Sequence, residues 1–177
     1  ILEWTNEIKS RSRIGDWEGD TVYGGIGKGL IVTLVDRTSR FLRAGKLSRR
    51  NAEETRMVIE QLLNSHVVKS ISLDNGSEFS NPTEIEIDLT TGEKRTQIFY
   101  CHPSSPFEKG SCEVNHELLR RVYPKGTSFD DLTQEDISMA GWDQATYEKY
   151  QLINPSSKTD ITKLKMVIEG AADTTCE

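Results

Sequence analysis

Between Trp17 and Leu47 three strand-like runs follow one another with no room for a helix between them. Trp17–Tyr23, Leu30–Asp36 and Phe41–Leu47 have strand length and strand composition, and the segments 24–29 and 37–40 between them are turns. Strands joined this tightly predict an antiparallel meander. The rest of the chain alternates. Asn51 with Glu54 has capping-box spacing and opens a helix whose apolar face is Val58, Ile59, Leu62 and Leu63. Val67–Leu73 is a fourth strand, stopped by Asp74-Asn75-Gly76. Asn81-Pro82-Thr83-Glu84 reads as the start of a short helix, Thr90-Thr91-Gly92-Glu93 as a loop and Gln97–Cys101 as a fifth strand. Ser105 with Glu108 starts a helix that should run to about Val122, before Pro124-Lys125-Gly126, and another is expected from Gln134 to about Tyr150. Strands joined through helices add in parallel to the same sheet. The expected fold is therefore α/β, a mixed five-stranded sheet flanked by helices.

The glycine cluster Gly24-Gly25-Ile26-Gly27-Lys28-Gly29 does not make a phosphate loop. Lys28 is followed by Gly29 rather than Ser or Thr, and the next element is a strand. A hairpin turn accounts for it.

Charge is unevenly distributed. The net charge is −6. Residues 1–127 carry 18 Lys/Arg against 18 Asp/Glu, and residues 128–177 carry 4 against 10, so the whole excess lies in the last stretch. Arg37, Arg40, Arg43, Lys46, Arg49 and Arg50 follow one another without an intervening acid. Such a run can neutralise phosphates, or it can guard an edge strand against pairing. The chain opens Ile1-Leu2-Glu3-Trp4, with neither Met nor the basic start and apolar core of a signal peptide, and reads as a fragment of a longer protein. No apolar run reaches membrane-spanning length. Cys101, Cys112 and Cys176 are odd in number and without framework spacing, which favours a reducing, cytoplasmic setting. A zinc site from Cys101, His102, Cys112 and His116 matches no paired-ligand spacing.

Three acids stand where the expected architecture can gather them: Asp20 within the first strand, Asp74 at the end of the fourth, and Glu113 on the helix after the fifth. An acid inside a strand is costly unless it is paired or binds a metal. Taken singly, Asp74 is a good turn residue in Asp-Asn-Gly, so the weight lies on the combination. Clustered carboxylates suit Mg²⁺ or Mn²⁺, and two such ions can activate an attacking oxygen and stabilise the leaving one at a phosphodiester. Glu18 shares a strand face with Asp20 and reads as structural, and Asp36 as a local turn partner.

Five segments then carry a resemblance. They are Ile14-Gly15-Asp16-Trp17-Glu18-Gly19-Asp20-Thr21-Val22, Leu34-Val35-Asp36-Arg37-Thr38-Ser39-Arg40-Phe41, Leu73-Asp74-Asn75-Gly76-Ser77-Glu78-Phe79, the stretch from His102 to Glu113, and Arg120-Arg121-Val122-Tyr123-Pro124-Lys125-Gly126-Thr127. In this order they resemble the catalytic core of transposases of the insertion-sequence-thirty family, which are similar to retroviral integrases and share the ribonuclease-H-like fold. The resemblance covers about residues 11–137. It implies an integrase-like core over 1–137 and leaves 138–177 as a C-terminal helix and loosely ordered tail. It also implies Asp20, Asp74 and Glu113 as catalytic and metal-binding residues, two divalent ions, DNA ends and target as partners, and a homo-oligomer assembled on DNA. Arg120, Lys109, His102, Arg40 and Arg43 are the DNA-contacting candidates. Cys112 and Val114 stand where many relatives have Asn, Phe107 replaces a common Trp and Lys109 a common Arg. The expected activity is metal-dependent cleavage and strand transfer at transposon ends. A ribonuclease-H-like nuclease without strand transfer, or a non-catalytic DNA- or partner-binding remnant, are the competing readings.

Overall fold

The computed structural model describes residues 4–88, 91–102, 110, 112, 116, 119–120 and 123–139. Five strands form one sheet: β1 (Asp16–Tyr23), β2 (Leu30–Asp36), β3 (Leu42–Leu47), β4 (Ser70–Leu73) and β5 (Gln97–Tyr100), in the spatial order β3-β2-β1-β4-β5. β1 pairs antiparallel with β2, and β2 with β3, while β4 joins β1 and β5 joins β4 in parallel. The meander and the parallel additions are thus as the element order predicts. The helices are α1 (Asn6–Ser10), α2 (Ala52–Leu63), α3 (Pro82–Glu86) and α4 (Gln134–Met139). Gly110, Cys112, His116, Leu119 and Arg120 are also helical. Among the described residues no helix is long and apolar enough to cross a membrane.

Alternation along the strands gives the sheet two faces. One presents Trp17, Val32, Leu34, Leu47, Ile71 and Leu73 to Ile59, Leu62 and Leu63 of α2 and to Phe79, and this is the main core. Gly45 lets α2 approach, since a Cβ there would stand 2.3 Å from Val58 Cγ1. Asn51 caps α2 by accepting from Glu54 N at 3.0 Å. The Glu54 carboxylate does not return the bond to Asn51; it accepts from Ser48 N and Oγ and so ties the β3–α2 loop to the helix.

Strand ends differ from expectation where side chains divert the backbone. β4 begins at Ser70 rather than Val67, because the Val67 carbonyl accepts from Trp17 Nε1 and Lys69 N donates to Gly15 O. β5 ends at Tyr100, although Cys101 N still reaches Leu73 O at 2.8 Å. α1 was not anticipated. Thr5 Oγ1 caps it, and it buries Ile8 with Trp4 against Phe99 on the second sheet face.

Candidate active site

The second face of β1 carries Asp16, Glu18 and Asp20. Buried acids there need partners, and the first two have them. Asp16 accepts from Ser70 Oγ at 2.6 Å and from Arg13 Nε at 2.8 Å. Glu18 is fully buried and ion-paired with Arg37, and its second oxygen accepts from Cys112 N at 3.1 Å. Burial pulls the Arg37 guanidinium below its ordinary range, partly offset by the Glu18 charge. Glu18 is thus a structural acid. Asp36 is a local turn partner, accepting from Thr38 N, Ser39 N and Ser39 Oγ, and it also takes Gly15 N at 2.7 Å.

Asp20 is different. A fifth of its side chain (21%) stays accessible. Its Oδ1 accepts from Thr21 N at 2.8 Å, and its Oδ2 lies 3.8 Å from His116 Nδ1. The other imidazole nitrogen, Nε2, is 2.7 Å from Thr33 Oγ1, and that hydroxyl donates to the Asp20 carbonyl at 3.2 Å. Thr33 therefore holds the backbone of Asp20, and the His116 ring stands beside its carboxylate.

Asp74 reaches the same place through the sheet. Glu18 stands opposite Ser72 in the parallel β1–β4 ladder, and Asp20 and Asp74 each lie two residues further on. Continuing the ladder puts them beside one another on one face, roughly a strand spacing of ~4.8 Å apart in the backbone. The loop after Asp74 is held on both sides. Gly76 N donates to Asp74 Oδ1 at 2.8 Å, and Asn75 Nδ2 donates to Cys101 O at 3.0 Å. A Cβ at Gly76 would stand 2.8 Å from Asp74 Oδ1 and 2.6 Å from Glu78 Oε2, so a side chain there would push both carboxylates aside.

Glu78 was not singled out in the sequence. It is buried below the Asp74 loop, accepting from Arg50 Nε at 2.5 Å, Thr21 Oγ1 at 2.8 Å and Tyr23 OH at 3.4 Å. The Glu78 hydrogen bond raises the Arg50 guanidinium above its ordinary value. Glu78 thus joins the loop bearing Asp74 to the residue next to Asp20. Its place in Leu73–Phe79 was visible in the sequence, but no local pattern announces a buried acid in a 3-10 turn.

Glu113 and Lys109 lie outside the described residues. Cys112 is buried against Val35 and Leu42, with its thiol on Glu18 O at 3.2 Å. His102 is exposed and directly follows Cys101, whose carbonyl holds the Asp74 loop. Arg120 does not face an acid among the described residues. Its Nη2 donates to Tyr23 O at 2.6 Å, its guanidinium lies 5.8 Å from the Phe129 ring centroid, and burial lowers its pKa. Arg40 lies in the β2–β3 turn, at the end of the sheet away from Asp74, and Arg43 on the α2 face of edge strand β3, so neither stands beside the aspartates. The basic run is divided up by the fold. Arg37 pairs with Glu18, Lys46 Nζ donates to Asp130 O and Leu132 O, and Arg50 pairs with Glu78.

Cys101, His102, Cys112 and His116 do not converge, and among the described residues no three His, Cys, Asp or Glu side chains form a metal site. The two aspartates supply hard oxygen donors of the kind Mg²⁺ and Mn²⁺ take.

The sheet order, with its antiparallel meander and parallel additions, defines a ribonuclease-H-like α/β domain of the retroviral-integrase type. In agreement, a chain in the cryoEM structure of the simian T-cell lymphotropic virus intasome in complex with PP2A regulatory subunit B56 gamma superposes with a TM-score of 0.52. The match covers 87% of this chain and 46% of that one, at 16% identity. No family model matches the chain. It is 38% identical over 145 residues to a Streptococcus salivarius protein described as a probable transposase for insertion-like sequence element IS1161. It is 31% identical over 142 residues to transposase InsI for insertion sequence element IS30A of Escherichia coli. These matches cover 79% and 78% of the chain, and the chain spans only 40% and 36% of the two relatives' lengths. The chain is thus similar, over most of its length, to a part of the insertion-sequence-thirty transposases.

Proposed function

We propose that this core carries out divalent-metal-dependent cleavage and joining of DNA strands at transposon ends, with Asp20, Asp74 and Glu113 as its catalytic carboxylates. The observation that supports the reading is the parallel pairing of Glu18 with Ser72, two residues before Asp20 and Asp74, in a chain similar to transposases. Asp20, Asp74 and Glu113 would hold two Mg²⁺ or Mn²⁺ ions. Bound there, the ions would lower the pKa of an attacking oxygen and stabilise the charge on the leaving one. The protein's part is positioning. Thr33 holds the backbone of Asp20 and His116 stands beside its carboxylate, while Asn75, Gly76 and Glu78 fix the turn that carries Asp74. Where two DNA ends must be held together, two or more copies of the chain would assemble on DNA.

The test measures cleavage and strand transfer on a donor DNA end with Mg²⁺, using the full-length protein. Asp20→Asn and Asp74→Asn should abolish both activities while leaving thermal unfolding nearly unchanged, because Asp20 and Asp74 are only partly buried. Glu113→Gln should do the same to activity. Normal strand transfer by Asp74→Asn would sink the assignment. Cleavage without any strand transfer in the wild type would move the protein to the nuclease class.

A further inference from the structure

Beyond the aspartates, the sheet ends in a feature the catalytic reading does not use. The β1–β2 hairpin turns through Gly25, Gly27 and Gly29, all at positive φ (131°, 67° and 72°), which side chains other than glycine rarely adopt. Its base is held. Gly24 N donates to Gly29 O at 3.1 Å and Phe129 N to Lys28 O at 2.8 Å. A Cβ at Gly24 would stand 2.5 Å from Lys28 O and 2.8 Å from Thr127 O, so the segment 127–129 packs directly on the turn. At its tip Ile26 is fully exposed.

Opposite the hairpin stands the loop Ser48-Arg49-Arg50 that leads into α2. Between them opens a cleft of about 600 Å³ lined by Tyr23, Ile26, Lys28, Leu30, Arg49 and Arg50 together with glycines and Ser48. Among the described residues the lining contains three cations and no acid. Acids stand behind the lining: Glu78 lies beneath it and is engaged by Arg50, Thr21 and Tyr23, Glu54 accepts from Ser48 N and Oγ, and Asp130 Oδ1 borders Gly29. Arg49 and Lys28 are exposed, and among the described residues Lys28 Nζ donates to a backbone carbonyl, that of Gly126, at 3.3 Å. Tyr23 is 42% exposed, its hydroxyl is tethered to Glu78, and the Arg50 guanidinium lies 5.9 Å from its ring centroid.

We infer that this cleft binds an unpaired stretch of DNA, with Lys28 and Arg49 on the phosphates and the Tyr23 ring as a platform for a base. An aromatic surface rimmed by cations, without side-chain amides to read base edges, is the chemistry of sequence-tolerant single-strand binding. The cleft has room for about one or two nucleotides and not for the width of a duplex. Its place suits the role. Tyr23 is three residues beyond Asp20, roughly 10 Å along β1 and on the opposite sheet face, at the sheet end where Asp74 also lies. A strand would have to pass over that end of the sheet to run from the aspartates to the cleft. Ile26, at the open lip, would then cover the outer side of the bound base. The inference rests on reading the chain as a DNA-processing core, but not on the aspartates being catalytic.

The experiment is fluorescence anisotropy of a labelled oligothymidine with the full-length protein in EDTA, titrated at several salt concentrations, beside a duplex and an oligouridine of equal length. The wild type should hold oligothymidine more tightly than the duplex. Lys28→Glu with Arg49→Glu should weaken it at least tenfold and lower the salt slope by about 1.4, the share of two phosphate contacts to a single strand. Tyr23→Ala should cost roughly tenfold and Tyr23→Phe almost nothing. Melting checks the fold, and Lys28→Gln with Arg49→Gln replaces the reversal pair should that pair unfold. Unchanged affinity and slope in the double variant, a stronger dependence of duplex than of oligothymidine on these residues, or tighter oligouridine binding would each overturn the inference. An Asp20→Asn protein should bind oligothymidine normally. If the wild type proves inactive with Mg²⁺ yet loses oligothymidine on the double substitution, the cleft stands and the catalytic reading falls. The opposite pair of results removes the cleft alone.

Discussion

The two faces of the sheet are built on opposite rules. Under α2 the strands offer Val32, Leu34, Leu47, Ile71 and Leu73, and the layer closes by shape alone. On the other face the same strands offer Asp16, Glu18, Asp20, Thr33, Ser70 and Ser72 beside Val35 and Leu42, and among the described residues every one of these polar side chains but the Ser72 hydroxyl is paired. The first face tolerates apolar exchange of equal volume and resists added atoms. The second tolerates little loss of charge, because each buried partner removed strands another. Along β1 the contrast sharpens within two residues: Glu18 is sealed by Arg37 and Cys112, whereas Asp20 remains partly open. The polar face is thus sealed at Asp16 and Glu18 and partly open at Asp20 and Asp74.

The largest effect should come from opening the sealed part. Arg37→Met leaves the Glu18 carboxylate buried without its counter-charge and also removes the guanidinium stacked 4.0 Å over the Trp4 ring. We expect a loss of about 3–5 kcal/mol in urea unfolding. Adding Glu18→Gln to Arg37→Met should return a good part of it. If the single and double variants unfold together, the pair is not what seals this face.

A smaller loss is expected on the apolar face. Gly45→Ala puts a methyl where Val58 Cγ1 and Leu62 Cδ1 would lie 2.3 and 3.1 Å away. The side chains can yield somewhat, so the cost should be about 1–3 kcal/mol. Adding Val58→Ala should recover part of it, since that substitution removes the atom in the way. Unfolding that does not respond to the second change would mean that backbone shift, not crowding at Val58, sets the cost.

The same contrast explains what could be read from the sequence. Element order was legible, because apolar spacing and turn residues record which segments are strands and how they connect. The meander of β1 to β3 and the parallel arrival of β4 and β5 follow from it. The position of Asp20 and Asp74, each two residues beyond the paired Glu18 and Ser72, then follows from register. Partnership across the polar face was not legible. Arg37 reads as one of a run of cations that could neutralise phosphates or guard an edge strand, yet it is buried against an acid nineteen positions away in the chain. Glu78 lay inside a quoted motif, but its burial depends on Arg50, Thr21 and Tyr23 meeting over it. Long-range pairing of charges leaves no period in a sequence, whereas packing of apolar faces does. For the same reason the six-residue basic run could not be divided into structural and free members before the fold was known.

The smallest effect concerns the α2-side edge of the sheet, where a titratable ring has entered the apolar layer. His66 lies 5.6 Å from the ring centroids of both Trp17 and Phe41. Burial, with Arg43 nearby, lowers its pKa below the ordinary 6.5. The folded protein therefore favours the neutral ring, and the unfolded chain binds the proton more readily. The stability from this contact is fully present above pH 6.5 and is lost as pH falls toward and through the lowered folded value. His66→Phe keeps a ring between Trp17 and Phe41 and removes the proton. The difference in urea midpoint between wild type and His66→Phe, measured from pH 7.5 down to pH 5, should grow in favour of the variant as the solution becomes more acidic. A constant difference across that range would show that His66 is not an acid-sensitive member of an otherwise pH-indifferent face, and that acid sensitivity belongs to the carboxylate face alone.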